Sequence, residues 1–308
     1  FTRTDTELQP HYATPLDRAA MPQDPALQNQ IHYLQTQAHY PACRNTDVTY
    51  YGDTNAALEA QKTDLRKAQH FIFMEYHAIE DSIAWQGIED ILAERAAAGV
   101  EVRVFYDDMG SIGFVDTAFA KKLQQRGIQC RVFNPIVPVL NVFMNNRDHR
   151  KITVIDGQVG YTGGYNLADE YFNLTHPYGR WKDSGVRLEG DAVRNLTLIF
   201  LEMWGTTQKE MPAIEPYLPA IRYTAREAAT VLPYADNPLD DKRVGEDVYL
   251  NFINSAQRYV YITTPYLILS DEMQRALVLA AQRGVDVRII TPGIPDKKLI
   301  FSVTRSYY

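Results

Sequence analysis

The first half of the chain alternates short apolar runs with a longer segment of helical periodicity. Residues 69–76 form an apolar run of strand length, and residues 82–98 carry apolar positions at helical spacing before Gly99. Residues 100–106 then form a second apolar run. A strand, a helix and a strand in this order predict a right-handed βαβ unit with a parallel pair of strands. The pattern therefore indicates an α/β fold.

Further elements are predicted before a proline-rich segment. Three more strands are expected at about 128–133, 151–156 and 184–189, and a long helix at about 191–207. Residues 209–220 contain three prolines, which is typical of a linker between domains. The predicted divisions are an N-terminal extension at 1–40, a first domain at 41–208, a linker at 209–225 and a second domain at 226–308.

The early pattern returns after this linker. The sequence AQHFIF at 68–73 matches AQRYVY at 256–261, and AAGVEVRV at 97–104 matches QRGVDVRI at 282–289. We therefore predict a duplicated strand–helix–strand unit. A chance likeness of two βαβ units is the alternative, because turns such as AGVEVR recur in α/β proteins.

Composition and charge narrow the classes of function. The chain has 308 residues, 45% of them hydrophobic, so it can bury one large core or two ordinary ones. Its formal net charge of −7 opposes a polyanionic partner, so we expect no nucleic acid as a partner. Any phosphate-binding site must then be formed by a local cluster of cationic side chains. Cys43 and Cys130 are too few for a disulfide framework, and the histidines show no metal-ligand spacing. We expect neither a metal nor a cofactor.

The strongest chemical signal is the pattern HxKx4D. It is formed by His149, Lys151 and Asp156 within the sequence NNRDHRKITVID at 145–156. If this segment is a strand, its alternation directs His149 and Lys151 to the same face. A neutral imidazole can attack phosphorus, and a neighbouring ammonium can hold the non-bridging oxygens. The pair is therefore suited to phosphate chemistry.

A GGxN segment follows this motif. Gly163 and Gly164 would let the backbone approach a ligand, and Asn166 supplies a hydrogen-bond donor. A lone HxKx4D pattern can arise by coincidence, but coincidence becomes far rarer when GGxN is also required. We therefore expect these residues to converge on one anion.

These residues closely resemble the first signature motif of the phospholipase D superfamily, HxKx4D followed by GSxN or GGxN. The longer string NNRDHRKITVIDGQVGYTGGYNLADEY is similar to bacterial cardiolipin synthases. FIFMEYHAI, GVEVRVFYDDMGS, GRWKDSGVRLEGDAV and ITTPYLI resemble their flanking stretches, so the likeness runs from about residue 47 to the end. It implies a phospholipase D-like αβα sandwich with a mixed sheet and helices on both faces, duplicated, with an incomplete second copy.

The resemblance also implies a double displacement through a phosphohistidine. His149 would be the nucleophile, while Lys151 and Asn166 would bind the phosphoryl oxygens. Asp183, in WKDSGVR, would accept a hydrogen bond from the other nitrogen of the histidine and fix its tautomer. Asp156 falls at the strand end, where we favour a structural ion pair over a part in the chemistry.

Members of this family carry two such motifs. His149 lies 50 residues after Gly99, and the same offset from Gly284 falls near position 334, beyond Tyr308. Since the chain also begins at Phe1, we expect a fragment that is inactive alone, from a parent bound to the cell membrane with its catalytic part facing the cytoplasm. A dimer that pairs two copies of His149 is the alternative, although the repeated second half already takes the partner's place.

Other polar residues could contact the substrate. Glu75 and His77 lie at the end of the first predicted strand, and Arg147 precedes the motif histidine. Strand ends tend to open on a ligand crevice, so we expect these three side chains near the substrate. An ordinary polar strand end is the alternative.

Two segments leave alternatives open. Asp107, Asp108 and Ser111 could meet the same crevice or cap the following helix. Residues 133–144 are apolar and broken by two prolines, so they cannot form a regular central strand. They could receive acyl chains or touch a bilayer, or they could pack against the core.

The favoured function is that of a phosphatidyltransferase that forms cardiolipin from two molecules of phosphatidylglycerol at a membrane surface. The same residues would serve a hydrolase, either a phospholipase D or a phosphodiesterase acting on nucleic acid. A non-catalytic lipid-binding module is a third alternative. Net acidity and the apolar segment favour lipid over nucleic acid.

Overall fold

A seven-stranded sheet forms the centre of the computed structural model, which describes residues 2–136, 146–211, 213–227, 229–237 and 242–308. The strands are β1 (Thr46–Tyr51), β2 (Phe71–Tyr76), β3 (Glu101–Asp107), β4 (Gln129–Phe133), β5 (Lys151–Ile155), β6 (Val159–Gly163), β7 (Gly185–Gly190), β8 (Tyr259–Thr263) and β9 (Asp286–Ile290). The α-helices are α1 (Thr2–Leu8), α2 (Pro25–Thr36), α3 (Thr54–Leu65), α4 (Ile83–Ala97), α5 (Phe119–Gln125), α6 (Val193–Thr206), α7 (Val244–Ser255), α8 (Asp271–Gln282) and α9 (Lys298–Arg305).

The sheet is mixed, and its strand order is β1-β7-β6-β5-β2-β3-β4. β2, β3 and β4 are parallel, whereas β5 is antiparallel to β2, and β6, β7 and β1 continue the antiparallel part. The predicted βαβ unit is β2, α4 and β3, and the later predicted elements are found as β4, β5, β7 and α6. Apolar periodicity does not reveal β1, whose sequence TDVTYY is largely polar, or β6, whose sequence VGYTG contains two glycines.

Helices cover both faces of this sheet. β2 is buried along its whole length, which explains its continuous apolar run. On one face Ile72 and Met74 pack with α3, α4 and α5. On the other face the ring of Phe73 stacks on that of Phe200 in α6, with centroids 4.6 Å apart. The predicted αβα sandwich is confirmed.

The second half of the chain repeats part of this unit. α7, β8, α8 and β9 follow in the same order as α3, β2, α4 and β3, and β8 is parallel to β9. Both parallel pairs align first residue with first residue. The turn before β3 and the turn before β9 each contain a glycine in the left-handed region, Gly99 with φ 90° and Gly284 with φ 88°. Because two strands of the second copy are described against seven of the first, the predicted incomplete duplication is confirmed.

The proline-rich segment packs against the first sheet. Ile214 is buried in the core on the α6 face. The ring of Tyr217 meets those of Phe71 and Phe73 edge-on, at centroid distances of 5.3 Å and 5.1 Å. The segment is therefore attached to the first copy, and the domain boundaries placed around it stay predictions.

Candidate active site

The carboxyl end of β2 and the amino end of β5 lie side by side because the two strands are antiparallel. Their register sets Tyr76 opposite Lys151. His77 follows the one strand and His149 precedes the other, and their imidazole centroids are 4.7 Å apart. The structure thus brings three of the predicted residues, His77, His149 and Lys151, to one edge of the sheet.

Lys151 holds the imidazole of His149 through its ammonium group. Its Nζ donates to the backbone oxygen of His149 at 2.6 Å and lies 3.2 Å from Nδ1 of the ring. A charged ammonium can only donate, so Nδ1 accepts and the neutral ring carries its proton on Nε2. Lys151 is buried, whereas His149 keeps an exposed face.

The surroundings keep His149 neutral and Lys151 charged near pH 7. Displacement of water by the protein, with the positive charges of Lys151, His77 and Lys297, lowers the pKa of His149 to about 4. Burial lowers the pKa of Lys151 to about 8, although the carboxylates of Asp148 and Asp183 act in the opposite direction. The pair therefore consists of a neutral imidazole, whose lone pair on Nδ1 is engaged by Lys151, and an ammonium.

His77 anchors the backbone next to His149. Its Nδ1 lies 2.6 Å from the carbonyl oxygen of Asp148 and donates to it. Gly110 passes so close that a Cβ there would lie 2.7 Å from Nε2 of His77 and 2.2 Å from its carbonyl oxygen. Only glycine fits at that position, and the His77 ring is held between Gly110 and the motif loop.

Asp107, at the end of β3, braces the same loop. Its fully buried carboxylate accepts from the backbone nitrogen of Asp148 at 2.9 Å and from that of Gly110 at 3.0 Å. Arg147 donates to the same carboxylate at 3.3 Å and to the carbonyl oxygen of Asn134 at 2.9 Å. The guanidinium of Arg147 is thus bonded within the loop, and its predicted contact with substrate stays a prediction.

Asp108 and Ser111, for which a place in the crevice and a helix cap were both left open, accept hydrogen bonds from the backbone of neighbouring loops. Asp108 accepts from the backbone nitrogen of Ile136 at 2.7 Å. Ser111 accepts from that of Ile79 at 3.2 Å. Neither side chain caps α5, which begins at Phe119, so the helix-capping alternative is wrong.

Glu75 belongs to a buried cluster beneath the motif. It is fully buried on the α6 face, and neither oxygen of its carboxyl group has a hydrogen-bond partner among the described residues. Burial raises the pKa of Glu75 and that of Asp148, and the charge of Asp148 raises the pKa of Glu75 further. Arg150 lies 4.0 Å from Glu75 and 3.3 Å from Glu202. Glu75 and His77 make no direct contact among the described hydrogen bonds, and the predicted contact of Glu75 with substrate stays a prediction.

The two glycines of the GGxN segment let the neighbouring chain at residues 183–184 pass very close to them. A Cβ on Gly163 would lie 2.5 Å from the carbonyl oxygen of Ser184, and one on Gly164 would lie 2.1 Å from Oδ1 of Asp183. A side chain at Gly163 would thus collide with the backbone at the start of β7 and one at Gly164 with the side chain of Asp183, and the predicted part of both glycines in binding phosphate stays a prediction. Asp183 accepts from the backbone nitrogen of Ser184 at 2.8 Å and from Nε1 of Trp181 at 3.5 Å.

Asn166 lies at the same edge as the two histidines. Its Oδ1 accepts from the backbone nitrogen of Ala78 at 3.1 Å, and its Nδ2 donates to the hydroxyl of Tyr171 at 2.8 Å. It is buried, and Nδ2 carries a second hydrogen beyond the one bonded to Tyr171. Its predicted contact with a phosphoryl oxygen stays a prediction.

Asp156 lies at the other end of β5, roughly 16 Å along the strand from Lys151. Its carboxylate accepts from the backbone nitrogens of Gln69, His70 and Phe71 at 2.7–2.9 Å. It therefore holds the start of β2 through three hydrogen bonds in place of the expected ion pair. The structure does not bring Asp156 to the site.

Sequence reasoning missed Lys297. The apolar segment at 133–144 lies largely outside the described residues. Lys297 precedes α9 in the second copy, 148 positions after His149, and no motif marks it. Its positive charge is one of the causes that lower the pKa of His149. Residues 137–145, which carry most of the segment for which contact with lipid and packing against the core were both left open, are outside the described part.

The chain is similar in sequence to known proteins. The family model described as cardiolipin synthase, PLD-like domain matches residues 62–204 and 249–308. An uncharacterized protein of Streptococcus mutans is 47% identical over 87% of this chain and 58% of its own length. A cardiolipin synthase of Halalkalibacterium halodurans is 35% identical over 87% of this chain and 53% of its own length. The chain thus spans about half the length of the curated relatives it matches.

A solved structure shows the same fold. The phosphatidylserine synthase of Haemophilus influenzae superposes with a TM-score of 0.59 at 13% identity. The match covers 85% of this chain and 65% of that protein. At this identity the likeness supports the fold alone.

The three bonds of Asp156 predict a structural role for the last residue of the motif. We expect Asp156→Ala to lower the free energy of unfolding by about 3 kcal/mol, because hydrogen bonds to a charged acceptor are lost together. Asp156→Asn should lose less, since it keeps one accepting oxygen and tolerates the φ of 52°. Urea unfolding measures both, with the exposed Asp17→Ala as the control. Loss of turnover in Asp156→Asn at unchanged stability would contradict this role.

The contact between Lys151 and His149 predicts a linked titration. We expect the pKa of His149 to lie near 4 and to rise in Lys151→Met, because removal of a neighbouring cation favours the charged ring. The resonance of the imidazole Cε1 proton followed by NMR against pH gives the midpoint. Lys121→Met, which removes an exposed lysine on α5, is the matched control. An unchanged midpoint in Lys151→Met would refute the linkage.

Proposed function

Because the chain belongs to the family of cardiolipin synthase, PLD-like domains, we propose that it is the part of a phosphatidyltransferase that carries the nucleophile. The proposed reaction joins two molecules of phosphatidylglycerol into cardiolipin and releases glycerol. The observation that carries this proposal is the neutral imidazole of His149 held beside the buried ammonium of Lys151. A lone pair and a cation at that separation suit attack on a phosphodiester.

The first step would form a bond from Nε2 of His149 to phosphorus. The bond from phosphorus to the glycerol oxygen breaks, and that oxygen takes a proton from a general acid, a role that the family resemblance assigns to the histidine of a second motif. Because Nδ1 now accepts from Lys151, the ring proton must move from Nε2 to Nδ1 before attack. A phosphate group that draws the ammonium of Lys151 towards its oxygens would release Nδ1 for that proton. Asp183 would then be the acceptor that holds the new tautomer.

The second step would transfer the phosphatidyl group to an alcohol. A hydroxyl of a second phosphatidylglycerol attacks phosphorus, the bond to Nε2 breaks, and the hydroxyl proton is taken up by a base. The family resemblance assigns this proton to a second motif histidine. Among the described residues the imidazole beside His149 is that of His77, whose Nε2 is free for proton exchange because its Nδ1 is bonded to Asp148.

Phosphoryl oxygens would be bound by charge rather than by glycines. Lys151 and the second hydrogen of Nδ2 in Asn166 lie at the same edge, and Lys297 adds a positive charge from the second copy. Cations placed around a developing charge stabilise it most where water is excluded. Arg147 would act indirectly, through the loop that it braces.

The lipid substrate places the proposed reaction at a membrane surface. None of the helices in the described part of the chain combines the length and hydropathy of a bilayer-spanning segment. We propose that the protein containing this chain works at the cell membrane, where phosphatidylglycerol resides. The site edge would face the lipid headgroups.

Product analysis tests the proposed reaction. We expect the intact protein that contains this chain to convert labelled phosphatidylglycerol into cardiolipin and glycerol, as measured by mass spectrometry. His149→Ala should lower the rate by more than about 1,000-fold, since it removes the nucleophile. His70→Ala replaces an exposed histidine outside the site and should retain the rate. Phosphatidic acid as the product would make the protein a hydrolase, and absence of lipid turnover would overturn the proposal.

The pKa values of the pair predict a broad optimum of pH. Below about pH 4 His149 becomes protonated and loses its lone pair, and above about pH 8 Lys151 loses its charge. We therefore expect kcat/KM to fall on both sides of this range. Lys151→Arg should move the alkaline limb upward, because a guanidinium stays charged. An alkaline limb that is unmoved in Lys151→Arg would assign it to another group.

A further inference from the structure

A cavity of about 980 Å³ lies between the α6 face of the first sheet and the start of the second copy. One wall is formed by β7 and α6, and the other by residues 231–237 together with the chain from 242 to 249. Its apolar lining includes Val186, Leu188, Leu196, Ile199, Met203 and Val231. An apolar cavity of this size is at the upper end of the range for ligand sites.

The cavity is continuous with the candidate active site. His149 and Lys151 belong to its lining, together with the loop residues that surround them. A molecule whose phosphate meets Lys151 can therefore extend an apolar part along α6 without leaving the cavity. This continuity separates the cavity from an ordinary packing defect.

Charge in the cavity favours an anionic headgroup. Cationic side chains outnumber carboxylates in its described lining, although Arg147 and Arg150 are paired with Asp107 and Glu202, so Lys151 is the cation that we assign to the headgroup. The cations are Arg147, Arg150, Lys151, Lys242 and Arg243, and the acids are Asp148, Asp236 and Glu246. An amphiphile with a negative charge at one end matches both parts of the lining.

We propose that this cavity binds the acyl chains of the phosphatidyl group whose phosphate reacts at His149. This subsite deepens the proposed function and rests on it. The wall of β7 and α6 would take the hydrocarbon, while the phosphodiester stays at the edge beside Lys151. Apolar surface is thereby removed from water on binding, which favours acyl chains over a free glycerophosphate. The expected occupant is a phospholipid monomer drawn from the bilayer.

Photocrosslinking tests this subsite. The intact protein is mixed with phosphatidylglycerol that carries a diazirine at the end of each acyl chain, and irradiated peptides are mapped by mass spectrometry. We expect crosslinks in β7, in α6 and in residues 231–237. Crosslinks confined to residues 133–144 or to β8 and β9, or no crosslinks at all, would overturn the proposal.

A variant that fills the cavity provides the matched comparison. Val186→Trp places an indole in the lining and should abolish the crosslinks in α6, whereas Val278→Trp, on the exposed surface of α8, should keep them. Retention of the α6 crosslinks in a folded Val186→Trp would count against the subsite. The map of the unsubstituted protein decides the question even if Val186→Trp does not fold. Crosslinks in the cavity without cardiolipin formation would overturn the proposed reaction and leave the lipid subsite standing.

Discussion

The register between β2 and β5 determines where every candidate catalytic group lies. Because the strands are antiparallel and Tyr76 faces Lys151, the residues just beyond their paired ends meet at one edge. β3 is parallel to β2, so its carboxyl end delivers Asp107 to the same edge. A slip of one residue would turn Lys151 and His149 together to the other face of the sheet and change their position relative to His77. The two cores that bury opposite faces of β2 fix this register, and so the chemistry depends on packing at a distance from it.

Beneath this edge, burial shifts the pKa values of a cluster of charged side chains. Glu75, Asp148 and Glu202 surround one guanidinium, that of Arg150, and their pKa values are all raised by desolvation. The raised pKa of Glu75 favours its protonated form, which limits the excess of negative charge in this cluster. The backbone of Asp148 remains bonded on both sides, to His77 and to Asp107. The imidazole that follows it is therefore held in place before any substrate arrives.

The sequence predicts what depends on local pattern and misses what depends on tertiary contact. Apolar periodicity indicates the βαβ unit and its repeat, and HxKx4D indicates the pair of His149 with Lys151. Spacing cannot show that Gly163 is required by the chain near Ser184, because the two meet only after β6 and β7 pair. Asp156 belongs to the motif in sequence, yet five residues of extended strand carry it to the far end of β5. Lys297 comes from another copy of the unit, so no local pattern could identify it.

The hydrogen bond from the ammonium of Lys151 to Nδ1 of His149 makes the reactivity of the imidazole depend on whether a substrate is bound. An imidazole whose proton sits on Nε2 is a poor nucleophile at the nitrogen that faces outward, so an empty site would resist stray electrophiles although His149 is exposed. Only an anion able to compete for Lys151 would release the ring. The site would then discriminate against uncharged esters before any bond forms, because an uncharged ester cannot draw the ammonium of Lys151 away from Nδ1.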